Sequence, residues 1–128
     1  MPSLSLVGNL RYQPSAESQP ATLPINVQTT YTQKSEDDYV FTAPQTNRLL
    51  DKGSLTAPRM IYIELYSGEG DFSFDSGGTN PFRLSMNDTP TPAPTDKATF
   101  VLYTHNPREL TLYLTSLGPV SFRVFLFS

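Results

Sequence analysis

Apolar and polar residues alternate with period two along most of this chain and seldom recur at the three-to-four spacing of a helix, so the pattern predicts strands. In Met60-Ile-Tyr-Ile-Glu-Leu-Tyr66, the side chains of Ile61, Ile63 and Leu65 share one face and those of Tyr62, Glu64 and Tyr66 the other. Leu110–Thr115, Phe72–Phe74 and Ile25–Tyr31 alternate in the same way, as half-buried antiparallel strands do. Leu4–Tyr12, Tyr39–Thr42, Arg48–Leu50, Phe82–Met86, Thr99–Tyr103 and Val120–Phe127 bring the expectation to about ten short strands.

Turn signals separate these segments at Asp51-Lys-Gly53, Ser67-Gly-Glu-Gly70, Ser76-Gly-Gly78, His105-Asn-Pro107 and Leu117-Gly-Pro119. Two stretches, 13–24 and 87–96, are punctuated by proline and predict extended surface segments, because polyproline-like chain has little to bury and cannot complete a sheet ladder. The 12 prolines sit between apolar runs more than inside them, which is how a β protein uses them. Together these features predict an all-β fold: an antiparallel β-sandwich, jelly-roll-like, as a single domain over residues 1–128. An up-and-down barrel is the second architecture.

Composition removes several functions. Charged residues are 16% of the chain, and 9 basic against 12 acidic side chains leave a net charge of −3 and a pI of about 4.9. The basic residues are scattered singly, so no stripe exists to neutralise phosphates, and neither nucleic acid nor an anionic membrane surface is an expected partner. With no Cys there is neither a disulfide framework nor a thiolate metal site. No apolar run approaches the length that spans a bilayer, and the N-terminus lacks a basic residue ahead of its apolar part, so a mature chain made in the host cytoplasm without a secretion signal is expected.

Candidate chemistry is sparse. His105 is the only histidine and sits in a strand-end turn, where an exposed turn residue is the simpler reading than a general base. Glu69, Asp71 and Asp75 fall in phase and could offer oxygen to a hard cation, yet Phe72 and Phe74 alternate with them and mark their side as the wet face of a strand. Ser35-Glu-Asp-Asp38 reads as a solvated turn whose charges discourage edge pairing. Asn87-Asp-Thr89 satisfies the glycosylation sequon but reads as ordinary loop chemistry. No catalytic residue, metal ligand or cofactor is expected.

What stands out is apolar surface beyond the needs of one core face. Val120, Phe122, Val124 and Leu126 make the expected inner row of the last strand, while Phe125 and Phe127 fall on the opposite side beside Arg123. Tyr62, Tyr66 and Tyr113 also occupy outward positions. Outward aromatics are what protein interfaces concentrate, so these five residues are the candidate protein-interface set; the competing reading is that a segment of the same chain covers them.

The combination of Tyr39-Val-Phe-Thr42, Pro58-Arg-Met-Ile-Tyr-Ile-Glu-Leu65, Asn80-Pro-Phe-Arg-Leu84 and the run from Leu112 to Leu126 resembles small all-β accessory virion proteins of tailed bacteriophages. The resemblance covers most of the chain and transfers no functional residue. It implies a non-enzymatic capsid decoration or cement protein, located in the virion, that binds the major capsid protein and itself, with a homotrimer favoured. A small tail or adaptor component, and a carbohydrate- or receptor-binding sandwich using Tyr62, Tyr66 or Tyr113 to stack on sugars, are the alternatives.

Overall fold

Each of the alternating segments forms a strand. The computed structural model describes residues 2–50, 57–87, 96–104 and 110–128, and among these there are ten strands and no helix. The chain divides into two compact units, Met1–Thr32 and Gln33–Ser128. The sandwich read over the whole of 1–128 is built within the second unit, because the first two strands form a two-stranded sheet of their own.

The first unit is a two-stranded antiparallel ribbon of β1 (Ser3–Tyr12) and β2 (Ala21–Thr30), in unbroken register from Ser3 opposite Thr30 to Tyr12 opposite Ala21. This corrects the expectation for the proline-rich stretch 13–24: residues 21–24 are strand, with Pro24 opposite Asn9. A ribbon of two strands leaves one edge of each unpaired, so a proline whose nitrogen faces that edge removes no ladder bond. The connection is held by Gln13, whose side-chain amide donates to the carbonyls of Ala16 and Ser18.

The second unit contains β3 (Lys34–Phe41), β4 (Gln45–Leu50), β5 (Met60–Ser67), β6 (Glu69–Ser73), β7 (Phe82–Ser85), β8 (Ala98–Tyr103), β9 (Leu112–Ser116) and β10 (Val120–Phe127). They form two four-stranded antiparallel sheets, ordered β3-β10-β5-β8 and β4-β9-β6-β7. The pairs β3 with β10, β4 with β9, β5 with β8 and β6 with β7 are nested, as in one long hairpin rolled over so that β10 also meets β5 and β9 also meets β6. Most core contacts therefore join residues distant in sequence.

Inner residues of both sheets build one core. Ile61, Ile63, Leu65, Val120, Phe122, Val124 and Leu126 come from the first sheet, and Leu50, Phe72, Leu112 and Leu114 from the second. Phe72 meets Phe122 edge-to-face across the layers, with ring centroids 5.2 Å apart, and Phe82 stacks on Phe100 at 4.1 Å. Each such side chain removed from water contributes about 1.5–3 kcal/mol. The arrangement is an antiparallel β-sandwich.

One residue carries the chain from the first sheet to the second between β5 and β6. Gly68 has φ of +81°, and a Cβ there would lie 2.1 Å from the Pro119 carbonyl oxygen, so this corner admits glycine only. The acidic run 35–38, expected as a turn, lies within β3, the edge strand of its sheet. Alternation explains the difference: Glu36 and Asp38 project outward, while Asp37, opposite Val124, takes the inner phase and receives a 2.9 Å hydrogen bond from the Ser35 hydroxyl. An inward charge on an edge strand discourages pairing with another chain, the effect expected of this run.

Candidate functional site

The outer face of the β3-β10-β5-β8 sheet gathers four of the five expected interface residues. Register places them in rows: Lys34, Phe127, Met60 and Tyr103 in one; Glu36, Phe125, Tyr62 and Val101 in the next; Asp38, Arg123, Glu64 and Thr99 in the third. Two apolar-centred rows thus lie beside one charged row. Tyr66 follows Glu64 on the same side of β5 and is more exposed than its neighbours. Tyr113 is elsewhere: it lies on the outer face of the other sheet, opposite Leu49 and Ser73.

The aromatic rows are packed. Tyr62 and Phe125 are neighbours across the strands, with ring centroids 5.6 Å apart and planes at 39°, and the Arg123 guanidinium sits 5.9 Å from the Phe125 ring centre. Such pairs bury part of each ring and hold it in one orientation. Phe125, Phe127 and Tyr62 in these rows are half-buried, as is Tyr113 on the other sheet. Met60, in the same outward phase, is fully buried although it lies outside the central core cluster.

The charged row is fixed by its own pairs. Arg123 grips Asp38 through Nε and Nη2 and reaches Glu36 at 3.3 Å. Glu64 accepts from the Lys97 ammonium and from the hydroxyls of Tyr62 at 2.9 Å and Tyr66 at 2.6 Å. Burial pushes the Glu64 carboxyl up, but Lys97 and the two hydroxyls outweigh it and hold the group below the usual carboxylate range. Burial and the Glu64 charge together push both tyrosine hydroxyls up. The hydrogen bond from Arg123 holds Asp38 low.

The in-phase carboxylates of the second sheet are separated by their partners. Arg83 on β7 holds Asp71 through Nε at 2.8 Å and Nη2 at 3.2 Å, and Glu69 through Nη1 at 2.9 Å. Asp75 lies beyond the end of β6, where it accepts from the backbone of Gly77 and Thr79 and from the Thr79 hydroxyl at 2.6 Å. Those hydrogen bonds hold its carboxyl low. Glu69 and Asp71 are therefore on the wet face as expected, whereas Asp75 organises a turn. No group of three or more His, Cys, Asp or Glu side chains among the described residues could hold a metal. His105, the turns at 51–53 and 105–107, and most of the 87–96 stretch, including the second and third residues of its sequon, lie outside the described residues.

Among the described residues the sandwich holds a small cavity and an open cleft. One, about 20 Å³, lies among Tyr39, Leu50, Ile61, Leu112 and Leu126 with Asp37 on its wall, space for a water molecule and no more. The other is an open cleft of about 240 Å³ where the Arg83 cluster, with Asn87 donating to Glu69, meets the 116–119 turn. The cleft escaped the sequence because Arg83 and Asp71 are brought together only by the pairing of β6 with β7.

Searches with this chain against protein-family models, curated proteins and solved structures gave no match.

Proposed function

We propose that the chain is a non-enzymatic structural protein of a tailed-phage virion, a capsid decoration or cement subunit with a jelly-roll sandwich. The observation that carries the reading is the strand order. Two four-stranded sheets made from four nested antiparallel pairs support a jelly-roll reading of the sandwich, and jelly rolls are an architecture used by viral capsid domains. The outer face of the β3-β10-β5-β8 sheet supports it with a second feature: aromatic rows through Phe125, Tyr62 and Phe127, bordered by fixed ion pairs, are the composition of a contact surface. In this reading that face joins copies of the subunit, as a homotrimer, and the loops bind the major capsid protein.

The test is the composition of virions from the host that carries the gene. Mass spectrometry should find the chain in purified particles at a fixed ratio to the major capsid protein, and its absence would sink the reading. Converting Phe125 and Phe127 together to Ser should leave the sandwich folded and reduce its self-association.

A second reading follows from the open cleft. Lectins also use jelly rolls, and the Asp71, Arg83 and Asn87 side chains converge there with acceptor and donor capacity for sugar hydroxyls. Binding to a glycan array that is lost in Asp71→Asn would favour a carbohydrate-binding module over a cement protein.

A further inference from the structure

Among the described residues, the buried polar side chains are those of Ser73 and Ser116, each 3% exposed. Their hydroxyls are treated differently. Ser73 lies under the Asp75 turn, where it donates to the Thr79 carbonyl at 3.1 Å and accepts from the Asp75 amide at 3.2 Å. Ser116 follows Leu112 and Leu114 in the inner phase of β9, and among the described residues its Oγ has no hydrogen-bond partner. A buried hydroxyl left unpaired is costly, and folded proteins keep few of them. Ser116 stands on the wall of the open cleft, together with Glu69, Asp71, Arg83 and Asn87. That cleft is the space from which a partner for its hydroxyl can come.

The other polar side chains of the cleft hold one another in place and keep bonding capacity. Asp71 and Glu69 each accept one hydrogen bond on each oxygen, which leaves a lone pair on every oxygen. Arg83 engages one N–H of each nitrogen, so both terminal nitrogens keep a second, and Asn87 keeps its amide oxygen and one N–H. Fixed donors and acceptors thus stand side by side. Two carboxylates against one guanidinium repel an anion, and Arg83, bonded to both carboxylates, bars a cation from gripping the pair. An uncharged molecule with donors and acceptors on adjacent atoms meets both conditions, and vicinal sugar hydroxyls are that chemistry. The cleft of about 240 Å³ has room for on the order of eight water molecules and falls below the roughly 300–1,000 Å³ of pockets for drug-sized ligands, so one ring fits. Leu117, 91% exposed, and Pro119 border it and offer apolar surface to the C–H face of a ring. We propose that the cleft binds a single uncharged sugar ring, at the end or on a branch of a glycan, and that the Ser116 hydroxyl bonds that ring alongside Asp71, Arg83 and Asn87. The inference rests on the carbohydrate reading of the cleft and narrows it to uncharged sugars and one further contact residue.

The test is an NMR titration of the isotope-labelled full chain, run beside a glycan array. The neutral probes are the methyl glycosides of glucose, galactose, mannose and N-acetylglucosamine; the anionic probes are methyl glucuronide and N-acetylneuraminic acid. At least one neutral glycoside should shift the amides of Glu69, Asp71, Arg83, Asn87 and the 116–119 turn, and the anionic probes should bind at least about tenfold more weakly. Asp71→Asn loses a charged acceptor and should weaken binding at least about tenfold. Ser116→Ala should weaken it about threefold or more while the free protein melts no lower than the wild type, since only an unpaired hydroxyl is removed. Unchanged affinity or a lowered melting temperature in Ser116→Ala would overturn the inference, because the hydroxyl then serves the fold alone. Equal binding of anionic and neutral probes, or an array signal without any monosaccharide shift, would overturn it and leave the carbohydrate reading standing. Shifts gathered around Tyr62 and Tyr66 would keep a carbohydrate function but move it off the cleft, against the inference. No shift and no array signal would overturn the inference and the carbohydrate reading together.

Discussion

The N-terminal ribbon and the β5–β10 pair of the sandwich are written with the same alternation, yet they meet opposite fates. Ile61, Ile63 and Leu65 lie opposite Leu126, Val124 and Phe122, and all six are buried. Leu10 lies opposite Leu23 in equally regular register, and both are half exposed. The difference is the layer above. The inner row of β5 and β10 is roofed by Phe72, Leu112 and Leu114 of the second sheet, whereas the ribbon is a single layer. Period-two patterning specifies a strand and its apolar side; burial needs a second layer, which a chain supplies itself or takes from a partner.

The largest test of that contrast removes one apolar side chain from each region. Phe122, fully buried and in contact with Phe72 and Tyr39, should cost about 3–5 kcal/mol when changed to Ala, read as a lower midpoint in urea. Leu10→Ala should move the same midpoint by no more than about 0.5 kcal/mol. A Leu10→Ala loss comparable to that of Phe122→Ala would mean that the ribbon's apolar face is as well roofed as the sandwich core.

This contrast also explains what was legible beforehand. All ten strands are present in the sequence as alternating or apolar segments, because local pattern carries them. Boundaries failed where a tertiary partner decides them: β3 begins at Lys34, ahead of the acidic run, and takes in the whole of it, since Arg123 of β10 pairs with Glu36 and Asp38. The outward phase of Tyr62, Tyr66, Tyr113, Phe125 and Phe127 was readable from periodicity. That four of them share one sheet and Tyr113 lies on the other was not, since the order β3-β10-β5-β8 is set by contacts between distant segments. The amphipathic ribbon was within reach: Leu4, Leu6, Leu10 and Tyr12 alternate, as do Leu23, Ile25 and Val27, but their pairing makes them one face only once Leu6 is set opposite Val27.

Glycine gives a second, smaller comparison. Gly68 stands at a corner with positive φ and a backbone oxygen in the way, so Gly68→Ala should destabilise the sandwich by at least about 2 kcal/mol. Gly8 lies in a strand with no positive φ and open space at its Cβ position, so Gly8→Ala should stabilise the ribbon by about 0.5 kcal/mol through the unfolded chain. Thermal melts read the first, and slower hydrogen exchange in β1 reads the second. Equal effects of the same sign would show that the two glycines are kept for one common reason, against the geometry.

Acid should separate the regions by the smallest margin per group. Of 12 acidic residues only Glu17 lies in the ribbon unit, whereas Asp38, Glu64 and Asp75, each held below its ordinary range by its partners, belong to the sandwich. A carboxyl whose folded pKa is depressed adds stability above its unfolded value, and that stability is lost as the pH falls through the folded value. Sandwich stability should therefore decline below the ordinary carboxylate range, near pH 4, while exchange in the ribbon follows only the intrinsic pH dependence of amides. Glu64 is the member to isolate, because its side chain is 12% exposed and takes three donors. Glu64→Gln should cost about 1 kcal/mol at neutral pH and flatten the acid limb, since the amide cannot carry the charge that Lys97 answers. An acid limb of unchanged steepness in Glu64→Gln would place the titrating stability in the Asp38 ion pair and the hydrogen-bonded Asp75 turn, and a limb shared equally by ribbon and sandwich would mean that the two units unfold as one.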